Sequence, residues 1–235
     1  MASGRRLGEG VYSIGESRGG RSHAYLFERA GSLTLVDSLF SASAEPILDC
    51  IQAIGRTPRD LHHIALTHAH RSHLGGLATL KRLSGATVYA HAWEADIIAG
   101  ERRAQPVSLW PRGSISTYPM RIGLALGRPK HEPCPVDRDL GEGDSVGPLR
   151  VLHIPGHTPG SLAFHLEDAN VLVVGDAVAT WPRLDAGWPA FNLNEGQYRA
   201  SLARLAEFEP AAVGVGHGEP LVEDAADRVH QLAGA

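Results

Sequence analysis

Three histidines fall within six residues in the segment His68-Ala69-His70-Arg71-Ser72-His73. Core packing does not explain them, because burying several imidazoles together requires a partner for every ring nitrogen. A transition metal supplies such partners. Neutral imidazole is a common zinc ligand, and the alternation His68, Ala69, His70 on an extended segment lets two rings turn towards one ion. An isolated cluster could be a surface accident, but three further residues are placed to join it. His157 sits in the Gly/Pro turn Pro155-Gly156-His157-Thr158-Pro159-Gly160-Ser161. Asp176 follows the apolar run Val171 to Val174, and His217 follows Ala211 to Val215 within Gly216-His217-Gly218. Each alone reads as turn chemistry. Together, each expected at a strand end, they point to one convergent site.

The elements that must carry these residues are legible in the pattern. Segments at Val11 to Ile14, His23 to Phe27 and Leu33 to Val36 read as an opening meander of strands. Ile47, Leu48, Ile51 and Ile54 recur at helical spacing, with Pro46 in the first turn and Gly55 at the stop. A strand over Leu61 to Thr67 then ends at the histidine cluster, and Leu74, Leu77, Ala78 and Leu83 mark one face of a following helix. Ser72 is expected to cap that helix. A strand at Thr87 to Ala90 and a helix at Ala92 to Ala99 come next. From about 100 to 139 the chain is rich in Pro, Gly and Arg and reads as an irregular, partly helical cover. Strands at Leu149 to Ile154, Ser161 to His165, Val171 to Val174 and Ala211 to Val215 follow. A helix through Tyr198, Leu202 and Leu205 lies between the last two, and a helix near Glu223 to Leu232 closes the chain. Hairpins mixed with strand–helix alternation imply an α/β (α+β) fold of mixed sheets covered by helices.

Composition sets the frame. A chain of 235 residues with 43% hydrophobic content can bury a substantial core, and one domain over 1–235 is expected. A net charge of -4, with Lys and Arg scattered, argues against nucleic acid as a partner. No apolar stretch follows Arg5-Arg6 that could form a signal-peptide core or a membrane span, so a cytoplasmic protein without a membrane partner is expected. Cys50 and Cys134 lie in unlike contexts and read as free thiols. Thirteen histidines are many for this length and agree with metal chemistry.

The residues Thr67-His68-Ala69-His70-Arg71-Ser72-His73-Leu74-Gly75-Gly76 resemble the Thr-His-x-His-x-Asp-His-x-Gly-Gly signature of the metallo-β-lactamase fold superfamily. The PGHTPGS turn, the Gly-Asp after a strand, the late Gly-His-Gly and the opening strands ending in Asp37 are similar too. The resemblance implies an αββα sandwich with metals at one edge of the two sheets. It also implies that His68, His70 and His157 hold a first metal, that Asp176 bridges, and that His73 and His217 hold a second. Ser72 departs from the signature, standing where the family has a metal-binding aspartate. The second site would keep three protein ligands but lose one charge, so one firmly bound zinc and a weakened second site are expected.

The chemistry implied is hydrolysis of a small-molecule substrate. The metal activates water and polarises a carbonyl, while Asp176 orients the nucleophile. Without the aspartate that would help move protons, esters, thioesters and lactones are favoured over amides, β-lactams included. A mononuclear iron persulfide dioxygenase using His68, His157 and Asp176 is the alternative from another class, and a non-catalytic ligand-binding module is the third. Trp110, Trp181 and Trp188 could wall a substrate pocket, and Tyr118 is a candidate oxyanion donor. The remaining histidines are not assigned to metal; His62 and His63, on opposite faces of a strand, are expected to have structural roles.

Overall fold

The computed structural model describes residues 4–105, 109, 115–126 and 130–234. Seven strands form the first sheet in sequence order: β1 (Arg5–Gly8), β2 (Val11–Gly15), β3 (His23–Arg29), β4 (Ser32–Val36), β5 (Leu61–Ala65), β6 (Thr87–His91) and β7 (Arg138–Leu140). The pairs from β1 to β4 are antiparallel, and those from β4 to β7 are parallel. The second sheet has the order β12-β11-β10-β9-β8. Its strands are β8 (Ser145–Val146), β9 (Leu149–His153), β10 (Leu162–Leu166), β11 (Val171–Ala179) and β12 (Ala212–His217), antiparallel except for the β11–β12 pair.

Strand alternation sorts the core into layers. In β3, Ala24 and Leu26 join the helices Glu45–Ala53, Leu77–Ser84 and Ala92–Ile98 in one cluster, while Tyr25 and Phe27 join the opposite sheet. In β9, Val151 packs between the sheets, whereas Leu152 joins the cluster under helices Glu195–Ala206 and Ala225–Ala233. Four layers result, helices outside and two mixed sheets inside. Strands buried on both faces need apolar residues at consecutive positions, which is why β10 and β11 are buried along their whole length. Each buried Phe or Leu of the central layer contributes roughly 1.5–3 kcal/mol. Tyr25 ties the sheets together by a polar contact as well, its hydroxyl donating to the Val215 carbonyl at 2.9 Å.

Several elements differ from the sequence reading. β1, β7 and β8 are strands of four, three and two residues, too short to show an apolar alternation of their own. The helix after the histidine cluster breaks at Gly75-Gly76 into Arg71–Leu74 and Leu77–Ser84. At about 100° per residue Leu83 points away from the face shared by Leu74, Leu77 and Leu80, so it is 49% exposed while they are buried. The cover contains a regular helix, Tyr118–Ala125. Cys50 and Cys134 are both buried and unpaired with each other. Among the described residues no helix is long and apolar enough to cross a membrane.

Candidate metal centre

The loop after β5 is held by Asp37, at the end of β4. One Asp37 carboxylate oxygen accepts the Thr67 amide at 2.9 Å and the other accepts the Thr67 hydroxyl at 2.8 Å. That second oxygen lies 2.8 Å from Nδ1 of His73. The same loop is joined to the opposite sheet where the Leu162 amide donates to the Thr67 carbonyl at 2.9 Å. Asp176 stands inside β11 instead of at a strand end, because β11 continues to Ala179. The register against β12 shifts on both sides of Gly175. Gly175 has φ +54, and a Cβ there would lie 2.9 Å from the Thr67 side chain. This bulge turns Asp176 towards the histidine loop.

The six candidate side chains meet in one buried cluster. Nε2 of His68 and Nε2 of His157 each lie 3.0 Å from Nδ1 of His70. Oδ2 of Asp176 is 3.6 Å from the same His68 atom and 3.4 Å from the same His157 atom. Beside this set, Nε2 of His73 is 3.3 Å from Oδ1 of Asp176, and Nε2 of His217 is 3.3 Å from Oδ2. Two donor groups are thus formed, His68/His70/His157/Asp176 and His73/Asp176/His217, with Asp176 common to both.

The opposite ring nitrogens of four histidines are engaged by oxygen: His68 by the Thr67 hydroxyl, His73 by Asp37, His157 by Asn192 and His217 by the Gly20 carbonyl. Such contacts fix the tautomer and aim the free nitrogen inward. Nε2 of His73 and Oδ1 of Asp176 are buried with no hydrogen-bond partner, a costly arrangement unless an ion satisfies them. Gly216 leaves the space open, since a Cβ there would come within 2.0 Å of Oδ1 of Asp176. A borderline-soft divalent ion fits this donor set.

Burial pushes His68, His70 and His157 below the ordinary imidazole range, which keeps them in the neutral form a metal requires. Burial alone would raise Asp176, but the imidazoles of His217, His73 and His68 outweigh it and hold the carboxyl well below its usual range. His73 is also lowered by burial, yet the carboxylates of Asp37 and Asp176 overcome this and push it up to about 10.

A family model described as the metallo-beta-lactamase superfamily matches residues 17–217. The chain belongs to that superfamily. It is 31% identical over 206 residues to the Bacillus subtilis (strain 168) protein YobT, spanning 84% of this chain and 83% of that one. It is 28% identical over 215 residues to the acyl-coenzyme A thioesterase MBLAC2 of Gallus gallus, spanning 86% of this chain and 73% of that enzyme. Among solved structures, that of TTHA1623 in a di-iron-bound form superposes with a TM-score of 0.67 at 25% identity, covering 94% of this chain and 98% of that one.

Within this metallo-beta-lactamase superfamily member, the variant position Ser72 is the second residue of helix Arg71–Leu74, whose N-cap is His70. The expectation that Ser72 caps the helix is therefore corrected: the helix starts earlier, and Ser72 instead borders a cavity of about 250 Å³ beside the centre. Trp188 lines the same cavity and stacks on His217 with ring centroids 4.1 Å apart. Trp181 does not line it. It packs against Trp188 from behind, its carbonyl accepting the Trp188 indole N–H at 3.0 Å. Tyr118 also lies outside the lining, its ring under the Arg121 guanidinium at 4.3 Å, and Trp110 falls outside the described residues.

Sequence reading missed Phe40, Met120 and Phe191, which line the cavity, and Glu94. Glu94 is buried at 1% exposure. Its carboxylate accepts the Ala69 amide at 3.0 Å, the Thr158 hydroxyl and the Gly160 amide, so it joins the His68–His70 loop to the His157 turn. Burial pushes its carboxyl up. Its position in the first turn of an amphipathic helix gave no local sign of this role. His62, His63, His153 and His165 all have oxygen neighbours elsewhere, on Ser32, Tyr89, Pro159 and Asn170.

Proposed function

We propose that this protein is a metal-dependent hydrolase of ester-like bonds, acting on esters, thioesters or lactones. The observation that carries the reading is the shared carboxylate: Asp176 presents oxygens to two adjoining groups of buried imidazole nitrogens. His68, His70, His157 and Asp176 would hold a first zinc, and His73, Asp176 and His217 a second. When bound, a divalent ion lowers the pKa of water and polarises a carbonyl. Asp176, its carboxyl held ionised, orients the attacking water by accepting a hydrogen bond. Thr67, Asp37, Asn192 and the Gly20 carbonyl keep the four histidine rings from turning, and the cavity beside Ser72 admits the substrate.

Ser72 contributes no negative charge, so the second zinc is expected to bind more weakly than the first. It also cannot deliver a proton as a carboxyl group could. Leaving groups that need little protonation suffer least, which favours ester-like substrates over β-lactams. The thioesterase activity carried in the name of the chicken relative supports this class.

A second reading is a mononuclear iron oxygenase acting on persulfides through His68, His157 and Asp176; the di-iron form of TTHA1623 supports iron as the metal, with two ions in that protein. Metal analysis of protein purified without added metal separates the two. One tightly held zinc, with turnover of esters, thioesters or lactones exceeding that of β-lactams, is the expected result. Two tight zinc equivalents would refute the weakened second site. Iron, with oxygen consumption on glutathione persulfide, would favour the oxygenase. No turnover across the panel, both in the wild type and in Ser72→Asp, would mark a non-catalytic binding module.

A further inference from the structure

We propose that the group carried into the cavity is an apolar, uncharged acyl chain of short to medium length, packed between Phe40, Met120, Trp188 and Phe191. This rests on the ester-hydrolase reading above and names the substrate class of the same site.

The cavity opens directly on His70, Asp176 and His217, so whatever fills it lies beside the reacting bond. Its walls away from these residues are largely apolar. Trp188 offers the cavity only carbon, because its one polar side-chain atom already donates to the Trp181 carbonyl. Phe191 packs against Trp188 with centroids 5.2 Å apart and against His70 at 6.2 Å. Met120 adds an adaptable, polarisable surface from helix Tyr118–Ala125.

Among the described residues, the polar side chains lining the cavity outside the candidate ligands are Arg71 and Ser72. The Arg71 side chain is half-buried: Nε donates to the Lys130 carbonyl and Nη1 to the Phe40 carbonyl, and the guanidinium lies 4.5 Å over the Phe40 ring. Ser72 supplies a neutral hydroxyl where the family signature has a carboxylate. The described lining therefore offers hydrophobic contact and one small hydrogen-bonding group, with its cation already engaged by backbone oxygen. At about 250 Å³ the space is smaller than a drug-sized ligand site, which suits an acyl chain and not a bulky conjugate.

The test uses the zinc-loaded full chain with p-nitrophenyl acetate, butyrate and hexanoate, and with mono-p-nitrophenyl glutarate as a charged comparison. In parallel, calorimetry measures binding of acetohydroxamate, hexanohydroxamate and glutaric monohydroxamate, which needs no turnover. We expect kcat/KM and hydroxamate affinity to rise about fourfold per methylene, equivalent to ~0.8 kcal/mol, and the glutaryl compounds to be at least about tenfold poorer than the hexanoyl ones. Met120→Glu, checked for folding by its thermal melt, is expected to flatten the chain-length dependence.

Ester turnover with no chain-length order, or a preference for the charged acyl group, overturns the proposal while leaving the hydrolase reading intact. The expected hydroxamate order without any ester turnover supports the pocket and removes the hydrolase reading. An unchanged slope in folded Met120→Glu places the acyl chain elsewhere and overturns the proposal.

Discussion

Oδ2 of Asp37 lies 2.8 Å from Nδ1 of His73, with both side chains buried. A carboxylate behind a ligand imidazole fixes its orientation and raises its basicity, and losing such a partner typically costs ~10–100-fold in metal affinity. Asp37→Asn should therefore weaken zinc at the His73/His217 site by about that factor and affect the His68/His70/His157 site less. Competition titration against a chromogenic chelator resolves the two affinities. An equal loss at both would mean that Asp37 acts through the Thr67 loop as a whole and not through His73.

Glu94 makes a different prediction, because it touches backbone and Thr158 but is not placed as a ligand. Glu94→Ala leaves the Ala69 and Gly160 amides without their buried acceptor. Hydrogen bonds to a charged group contribute ~1.5–3 kcal/mol each, so the variant should lose at least ~2 kcal/mol in denaturant unfolding. Its zinc affinity should fall more at the first site, since both loops that Glu94 joins carry first-site histidines. A destabilised protein with unaltered first-site affinity would leave Glu94 a packing role only.

Ser72→Asp returns a carboxylate to a position that borders the cavity next to Asp176 and His217. The expected outcome is a rise in tightly bound zinc from one to two equivalents, read by elemental analysis after dialysis against a mild chelator. A count that stays at one would show that the missing charge is not what limits the second site.

Glu142 gives a pH prediction remote from the centre. Its hydrogen bond with Arg204, helped by the His153 amide, pulls its carboxyl down from 4.5 to about 2. A carboxyl depressed in the folded state contributes stability that is fully present above pH 4.5 and is lost as pH falls towards 2. Both side chains are more than a third exposed, so solvent screening limits the contribution to less than ~1 kcal/mol. Glu142→Gln should lower the melting temperature slightly at pH 7, and the gap from wild type should narrow as pH drops below 4.5.

Sequence reading captured what local pattern encodes. Strands β2 to β6 and β9 to β12, and the helices that cover them, follow from apolar periodicity, and the six candidate donors stand out because histidines and carboxylates after apolar runs are visible without a structure. It failed where long-range contacts decide. Asp176 is expected at a strand end, yet β11 runs on to Ala179 and its register shift at Gly175 packs against Thr67 of the loop after β5. Ser72 was expected to cap a helix that begins one residue after His70. Phe40, Met120 and Phe191 come from three separate segments and share a cavity only once both sheets have packed, so no spacing rule links them. Trp181 and Tyr118 were reasonable by composition, but one backs Trp188 and the other lies against Arg121.

The two sheets divide the donors evenly between the halves of the chain. His68, His70 and His73 belong to the loop and short helix after β5, while His157, Asp176 and His217 come from the β9–β10 turn, β11 and the end of β12. The N-terminal half is made first and carries three imidazoles without Asp176, so neither donor set is complete within it. The His68/His70/His157/Asp176 set is complete once β11 lies beside the histidine loop, whereas the His73/Asp176/His217 set also waits for β12, the last strand to be made.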